Sequence, residues 1–495
     1  MGVGLLMFRL LFQGLAAEEF GFWSLIWSLF GYGILLDFGF GFTASKRVAE
    51  LSVHGRWDEL SRVLSTIFYL YVLIAIGIVI AVLLFSHQLI GMFQISGPNK
   101  EPFRQILVWF LCGMAFSFPL GIFPEILMGQ QRIAFVNLIF GVSVVGNAIA
   151  TALALKYQMG LKVLVIIALV SAILPSLLCG FFSIGALPKV KISPRFFSSD
   201  MVRSTLSFSL YAYIATVSNM ILGKTDQLVI STTLAVAAVA IYQAGSKIGE
   251  MFGAFTTQLP DTFSPAAAHL HAKGDKFFLQ KILTDGTRFS VMIATPAYLI
   301  CAFYMEGLIQ LLTGGKGAGP ETYYVGQVLL LWQYMTVITQ SVQKRVFMMC
   351  GHEKKLMWLG LGEAVLNLAL SVGLVLIFKN VLCVAIGSLI ATTFFGWVYI
   401  WPWAAREVEL SGWSLIRKTL VPIWVSCLPL LVLLVIGRII PWHAFRNHPA
   451  MMFLECLVAG CFGFWGIWQK ALSVEEKAKL LLKFEQMFLR FRTAI

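Results

Sequence analysis

Charge is what this chain has least of. Only 12% of its 495 residues are Asp, Glu, Lys or Arg, about half the share of an ordinary soluble domain. Long polar connections are missing as well: they rarely exceed about 15 residues, which leaves no room for a soluble domain between the apolar runs. Cysteine pairs at metal or disulfide spacing are absent. The eight cysteines, Cys112, Cys179, Cys301, Cys350, Cys383, Cys427, Cys456 and Cys461, sit in or beside apolar runs with no C-x-x-C and read as small apolar residues. GGKGAG at 314–319 lacks the Ser or Thr that would follow in a phosphate loop. His269 and His271 alternate in a basic loop, and His443, Arg446 and His448 share an outer loop; both groups read as solvated. The outer connections are short, which argues against a membrane enzyme that must hold catalytic groups beside the outer face. No small-residue cleavage site follows the first apolar run, so 2–15 reads as a helix rather than a removable signal peptide. Metal, cofactor and catalytic residues are therefore not expected.

What is present is hydrophobic: 59% of the residues, with a mean hydropathy of +0.83. Apolar runs recur along the whole length, each about long enough to cross ~30 Å of hydrocarbon as a helix. An all-α, polytopic integral membrane protein is expected. Its fourteen spans lie near 2–15, 20–44, 63–90, 105–128, 133–155, 163–187, 205–232, 237–264, 289–312, 322–343, 356–378, 381–404, 419–437 and 450–469. The net charge of +13 raises the question of nucleic acid. With the amino terminus inside, 26 of the 37 Lys and Arg face the cytoplasm, 8 face outward and 3 (Arg9, Lys224, Lys247) lie within spans. Positive-inside topology accounts for the basicity, and no nucleic acid is needed. The tail 474–495 mixes Lys477, Lys479, Lys483, Arg490 and Arg492 with Leu480, Phe484, Met487, Phe488 and Phe491. It reads as an amphipathic helix on the cytoplasmic headgroups, with a partner-binding helix as the alternative.

The chain also repeats itself weakly. At an offset of 219 residues, RVAELSVHGRWDELSRVL (47–64) falls on AAAHLHAKGDKFFLQKIL (266–283), with Gly55 on Gly274 and Leu60 on Leu279. At 220–222, GQQR (129–132) falls on GHEK (351–354) and Asn147 on Asn367. Six spans separate the copies, so both halves enter from the same side, and substrate sites of such repeats lie between them. The expected organisation is an N-terminal bundle 1–190, a cytoplasmic linker 191–204, a C-terminal bundle 205–404, two additional spans in 405–470 and the tail 471–495.

The expected eighth span carries the clearest polar signal. Gln243, Lys247, Glu250, Ala254, Thr257 and Asp261 follow at steps of four and three, which aligns them on one helical face. Two readings stand: Lys247 and Glu250 form a structural ion pair holding the helix to its neighbours, or the face lines a watery cavity. The length of the stripe favours the cavity. The repeat-equivalent Ser24, Ser28 and Gly31 are expected to widen a gap between the halves. In the seventh span, Lys224 and Asp226 are two residues apart and so point about 200° apart. Lys224 shares its face with Gln227 and Ser231, and Asp226 shares its face with Asn219. Arg9, Lys224 and Lys247 are expected to form a cationic path, with Gln227, Gln243 and Glu250 beside it. Asp226 and Glu250 are candidates for ion coupling.

LLDFGFGFTASKRVAE (35–50), TDQLVISTTLAVAAVAIYQAGSKI (225–248), FSPAAAHLHAKGD (263–275), MCGHEKKLMWLGLGEAVLNLALSV (349–372) and NVLCVAIGSLIATTFFG (380–396) follow in an order that resembles one family. It is the polysaccharide-export branch of the multidrug, oligosaccharidyl-lipid and polysaccharide exporter superfamily, the O-antigen repeat-unit flippases. The similarity covers nearly the whole chain. It implies two six-helix bundles around a central cavity plus two C-terminal helices, alternating access, and a polyprenyl-diphosphate-linked oligosaccharide as substrate. It also implies a place in the bacterial inner membrane, with both termini cytoplasmic, beside polysaccharide polymerase and chain-length proteins. The departure is at the start, where family members carry a cytoplasmic segment and a full first helix. A multidrug or cation extrusion antiporter and a lipid II flippase are the neighbouring alternatives.

Overall fold

The computed structural model describes residues 2–37, 40–93, 95, 100–187, 189–198, 223–256, 260, 276–315, 319–407, 409–439, 449–472, 474 and 476–477. Asn219, Thr257, Asp261, His269, His271, His443, Arg446 and His448 lie outside these residues, as do the first part of the seventh span and most of the tail. The described elements are all helical, so the expected all-α class is what forms.

Two compact units divide the chain. The first comprises Met1–Ala244, Leu312–Gly317 and Glu353–Ser388. Its helices are α1 (Gly2–Gly14), α2 (Ala17–Gly33), α3 (Phe40–Val53), α4 (Trp57–Met92), α5 (Lys100–Ala115), α6 (Ile122–Gly129), α7 (Ile133–Lys156), α8 (Gly160–Ala186), α9 (223–233) and the beginning of α10 (Val236–Thr256). The second comprises Gly245–Leu311, Ala318–His352 and Leu389–Ile495. It contains α11 (Lys276–Phe303), α12 (Met305–Thr313, whose last two residues belong to the first unit), α13 (Pro320–Thr336) and α14 (Val342–Met349). The first unit regains the chain with α15 (Glu353–Phe378) and most of the front of α16 (Leu382–Phe395). The second ends with α17 (Trp401–Glu407), α18 (Gly412–Thr419), α19 (Val421–Ile439) and α20 (Pro449–Lys470).

In the first unit α4 lies beside α5, and α8 packs against α5, α6 and α7. Phe22, Leu25 and Ile26 of α2 and Leu107, Phe110 and Met114 of α5 are fully buried and form its main core, joined by Phe8, Leu11 and Phe12 of α1 and Leu164 and Val165 of α8. In the second unit α11 is the central post, touching α13, α14, α18, α19 and α20. Arg288 of α11 donates to the carbonyl of Ala471 and to Glu476 Oε2, both at 2.7 Å, which holds the end of α20.

The outer surfaces identify the solvent. On α4, Leu73, Ile76, Ile80, Leu83 and Leu84 are each half or more exposed, a continuous apolar face that water does not tolerate. Seven described helices are long and apolar enough to cross a bilayer, or eight when α18 and α19, bent by 45°, count as one broken span. The protein is a multi-pass membrane protein. The expected fourteen spans are compatible with this number, because several lie partly outside the described residues or are shorter.

Several expected boundaries move. The span expected at 20–44 breaks at a 3-10 turn, Ile34–Asp37, where Tyr71 Oη donates to Asp37 Oδ1. The expected loop after residue 44 is instead the amphipathic α3. Its Phe40, Ala44, Val48 and Leu51 bury against α4 and α6, while Lys46, Arg47 and Glu50 stay exposed. A three-residue turn then suffices, with Gly55 at φ +68°, a conformation that glycine adopts without strain. α4 starts six residues before the expected 63, because Asp58 and Glu59 favour a helix amino end. α5 and α6 replace one straight span, with Pro119 at the break.

Candidate substrate and ion-coupling site

α10 presents its polar stripe as the sequence implies. Gln243, Lys247 and Ala254 are half-buried and Glu250 is exposed, while Ile248, Gly249, Phe252 and Thr256 are buried on the other side. Three glycines four residues apart fix that orientation. A Cβ on Gly245 would stand 2.9 Å from the Gly326 nitrogen and 3.0 Å from the Thr322 carbonyl oxygen. One on Gly249 would stand 3.3 Å from the Leu329 oxygen, and one on Gly253 would stand 2.8 Å from Gln333 Oε1. α10 and α13 thus meet backbone to backbone, the small-xxx-small contact of membrane helices, and the stripe is turned away from α13. Sequence reasoning found the stripe but missed the glycines, although their spacing was there to read.

Lys247 Nζ and Glu250 Oε2 are 2.8 Å apart, with side chains 27% and 49% exposed. The pair lies within one helix, so this bond does not itself tie α10 to a neighbour. Ion pairs this open are worth about 0–1 kcal/mol.

α9 sends its two ions in different directions. Lys224 is half-buried, with its aliphatic stem 3.7 Å from where a Cβ on Gly31 would stand. No described carboxylate pairs with it. Ser28 Oγ donates to the Lys224 carbonyl at 2.9 Å, so Ser28 and Gly31 close α2 against α9 instead of widening a gap. Gln227 and Ser231, expected to share an open face with Lys224, are 5% and 0% exposed. The middle of α9 is buried with them, at Asp226, Val229 and Ile230, whereas Lys224 nearer its start is half-buried. Arg9 lies on the exposed face of α1, opposite the buried Phe8, Leu11 and Phe12. It forms no hydrogen bond or ion pair with another described residue.

Asp226 is 5% exposed and central to a buried polar cluster. Tyr242 Oη donates to Asp226 Oδ2, and Ser388 Oγ reaches the same oxygen at 3.1 Å. Asn367 Nδ2 donates to Ser388 Oγ at 2.7 Å. Ser388 therefore accepts from an amide and directs its single proton toward the carboxylate, with the Val384 carbonyl at 3.3 Å as its other acceptor. Among the described residues, Asp226 Oδ1 and Asn367 Oδ1 have no hydrogen-bond partner. Two acceptor oxygens without donors in a buried cluster are a place for a proton or a small cation. Tyr242, Asn367 and Ser388 were not expected around Asp226. The signal available was the repeat, for Asn147 Nδ2 donates to Ser171 Oγ at 2.6 Å in the first half. The same Asn-to-Ser bond thus occurs twice, and in the second copy the serine also bonds a carboxylate.

A further acidic pair lies in the first unit: a Cβ on Gly41 would be 3.6 Å from Glu125 Oε1 and 3.7 Å from Asp37 Oδ1. Among the described residues no three His, Cys, Asp or Glu side chains converge as a metal site, and all eight cysteines are free thiols.

Comparison with curated proteins returns no match. Among solved structures, the lipid II flippase MurJ in an inward closed conformation superposes with a TM-score of 0.71 at 16% identity, covering 94% of this chain and 95% of that one. An inward-facing multidrug resistance MATE family transporter of the MOP superfamily gives 0.65 at 17% identity, over 84% and 95%. A MOP superfamily transporter from Pyrococcus furiosus, noted for the reverse polarity of its binding pocket, gives 0.54 at 16% identity, over 82% and 91%. At these identities the likeness is one of fold, the helical fold of this transporter superfamily. The family described as polysaccharide biosynthesis protein matches residues 1–256, more than half of the chain, and the protein belongs to that family.

Proposed function

We propose that the protein is a flippase that carries polyprenyl-diphosphate-linked oligosaccharides from the cytoplasmic to the outer leaflet by alternating access. Family membership supports the glycan pathway, and the superfamily fold supports transport. The observation that carries the site is the polar stripe of α10, with its partly open Lys247–Glu250 pair. A lipid diphosphate bears about two negative charges and a bulky polar glycan, neither of which crosses ~30 Å of hydrocarbon unaided.

Lys247 is the primary contact for the diphosphate: Glu250 gives up its ammonium when the stronger anion arrives. Lys224, half-buried, and the exposed Arg9 add positive charge on the first unit, and Gln243, half-buried on the same face of α10 as Lys247, supplies an amide for the glycan. The polyprenyl tail remains in lipid. Asp226 holds a coupling proton or small cation through Oδ1, with Asn367 Oδ1 as the second ligand, and Glu250 is a subordinate coupling group. Both termini face the cytoplasm, as the distribution of Lys and Arg implies.

The test is cellular. Lys247→Ala is expected to abolish surface glycan while the protein is still made and folded. Normal glycan display in that variant removes the assignment. Drug-resistance profiling of the same strains separates glycan export from multidrug extrusion.

A further inference from the structure

The second unit contains another polar site, away from the α10 stripe. A cavity of about 320 Å³ opens between α11, α14 and α17, with Leu283, Val346 and Phe347 as its walls and His352, Arg406 and Glu407 at its mouth. One helical turn deeper, on the two wall helices, stand Thr287, four residues after Leu283, and Gln343, three before Val346. They are 2% and 1% exposed. Gln343 Nε2 lies 3.2 Å from both Thr287 Oγ1 and the Ile338 carbonyl oxygen. Ile338 belongs to a π-helical turn, Val337–Ser341, joining α13 to α14, and turns of this kind loosen the backbone bonding of a helix.

The amide of Gln343 is only half used. Among the described residues its Oε1 has no hydrogen-bond partner, and neither does Ser290 Oγ, one turn beyond Thr287 on α11. Ser290 is itself 1% exposed. Buried polar atoms of this kind are held by ordered water where space and polar neighbours allow. The 320 Å³ cavity ends at Leu283 and Val346, one helical turn from Gln343 and two from Ser290.

We infer that the cavity and the Gln343–Thr287–Ser290 cluster form one water-binding crevice. Its ligand class is water and water-sized polar solutes, and it hydrates the second unit from Gln280 at the mouth to Ser290, about 15 Å along α11 at 1.5 Å per residue. Lys344, Arg345, Lys354, Lys355 and Arg406 follow in the sequence around its opening. The crevice therefore faces the cytoplasm, a statement that rests on the proposed orientation of the chain.

Thiol accessibility in the full-length protein, reconstituted in sealed vesicles of each orientation, tests this. All native cysteines are replaced, because Cys350 lines the cavity. Burial, and after it the Glu407 carboxylate, push the Cys350 thiol above its usual range, and its slow reaction would obscure the signal. Ser290→Cys and Gln343→Cys are then compared with Val291→Cys, a fully buried neighbour, using trimethylammonioethyl methanethiosulfonate, whose permanent charge keeps it on the side to which it is added. The expected result is reaction at positions 290 and 343 roughly tenfold faster than at 291, from the cytoplasmic side. Reaction at 290 as slow as at 291 from both sides, in folded protein, overturns the crevice. Ser290→Cys changes little volume, so it carries the test even if Gln343→Cys does not fold. Fast reaction from the opposite side alone upholds the crevice and overturns the orientation.

Discussion

Lys224 and Asp226 stand two residues apart, and the structure gives them separate surroundings. Lys224 runs half-buried along Gly31, and Asp226 is buried against Tyr242 and Ser388. Asp226→Asn keeps an acceptor for both hydroxyls but removes the charge. It is expected to leave folded yield unchanged and to abolish the dependence of flipping on a proton or cation gradient; retained gradient dependence contradicts the coupling role. Asp226→Leu strands two hydroxyls and is expected to destabilise the protein by about 1–3 kcal/mol, read as a lower melting temperature in detergent. Lys247→Arg should retain most transport, whereas Lys247→Ala should not, because a positive charge at that position is what the anionic substrate needs. The two lysines and the aspartate were legible as charges in apolar runs. Their partners were not, since Asn367 and Ser388 lie 141 and 162 positions from Asp226 in the chain, and nothing local to Asp226 points to them.

At the scale of elements, the α10–α13 contact depends on glycine. Gly249→Leu places a side chain where a single Cβ would already be 3.3 Å from the Leu329 oxygen. Overpacking of this kind costs about 1–3 kcal/mol, and a drop in folded yield and thermal stability is expected; unchanged stability contradicts the backbone contact. Periodicity revealed which face of α10 is polar, and did so because four- and three-residue steps are a property of one helix alone. It did not reveal the break at Asp37, where a tyrosine thirty-four residues later accepts the turn by bonding its carboxylate. Nor did hydropathy show α3, whose buried stripe is too narrow to raise the average of its charged neighbours. Helix starts moved ahead of the apolar run, to Trp57 in α4, where Asp58 and Glu59 favour an amino end, and to Lys276 in α11, against the expected 289.

For the whole molecule, composition was decisive: so little charge in so apolar a chain leaves only a membrane-embedded helical protein, and that is the fold observed. Under the proposed function, the charge of a lipid diphosphate sets a dependence on membrane potential. An inside-negative potential favours outward transfer of an anion by about 2.3 kcal/mol per charge per 100 mV, so flipping in vesicles is expected to accelerate as that potential is raised and to slow when it is reversed. Insensitivity to voltage would mean that counter-charges move with the diphosphate. The most direct measurement is reconstitution of the purified protein into vesicles holding polyprenyl-diphosphate-linked oligosaccharide in one leaflet, followed by its appearance in the other. The account predicts transfer by the wild-type protein and none above the protein-free rate by Lys247→Ala. Equal transfer by the two proteins, or none by the wild type under an imposed potential and cation gradient, would contradict it.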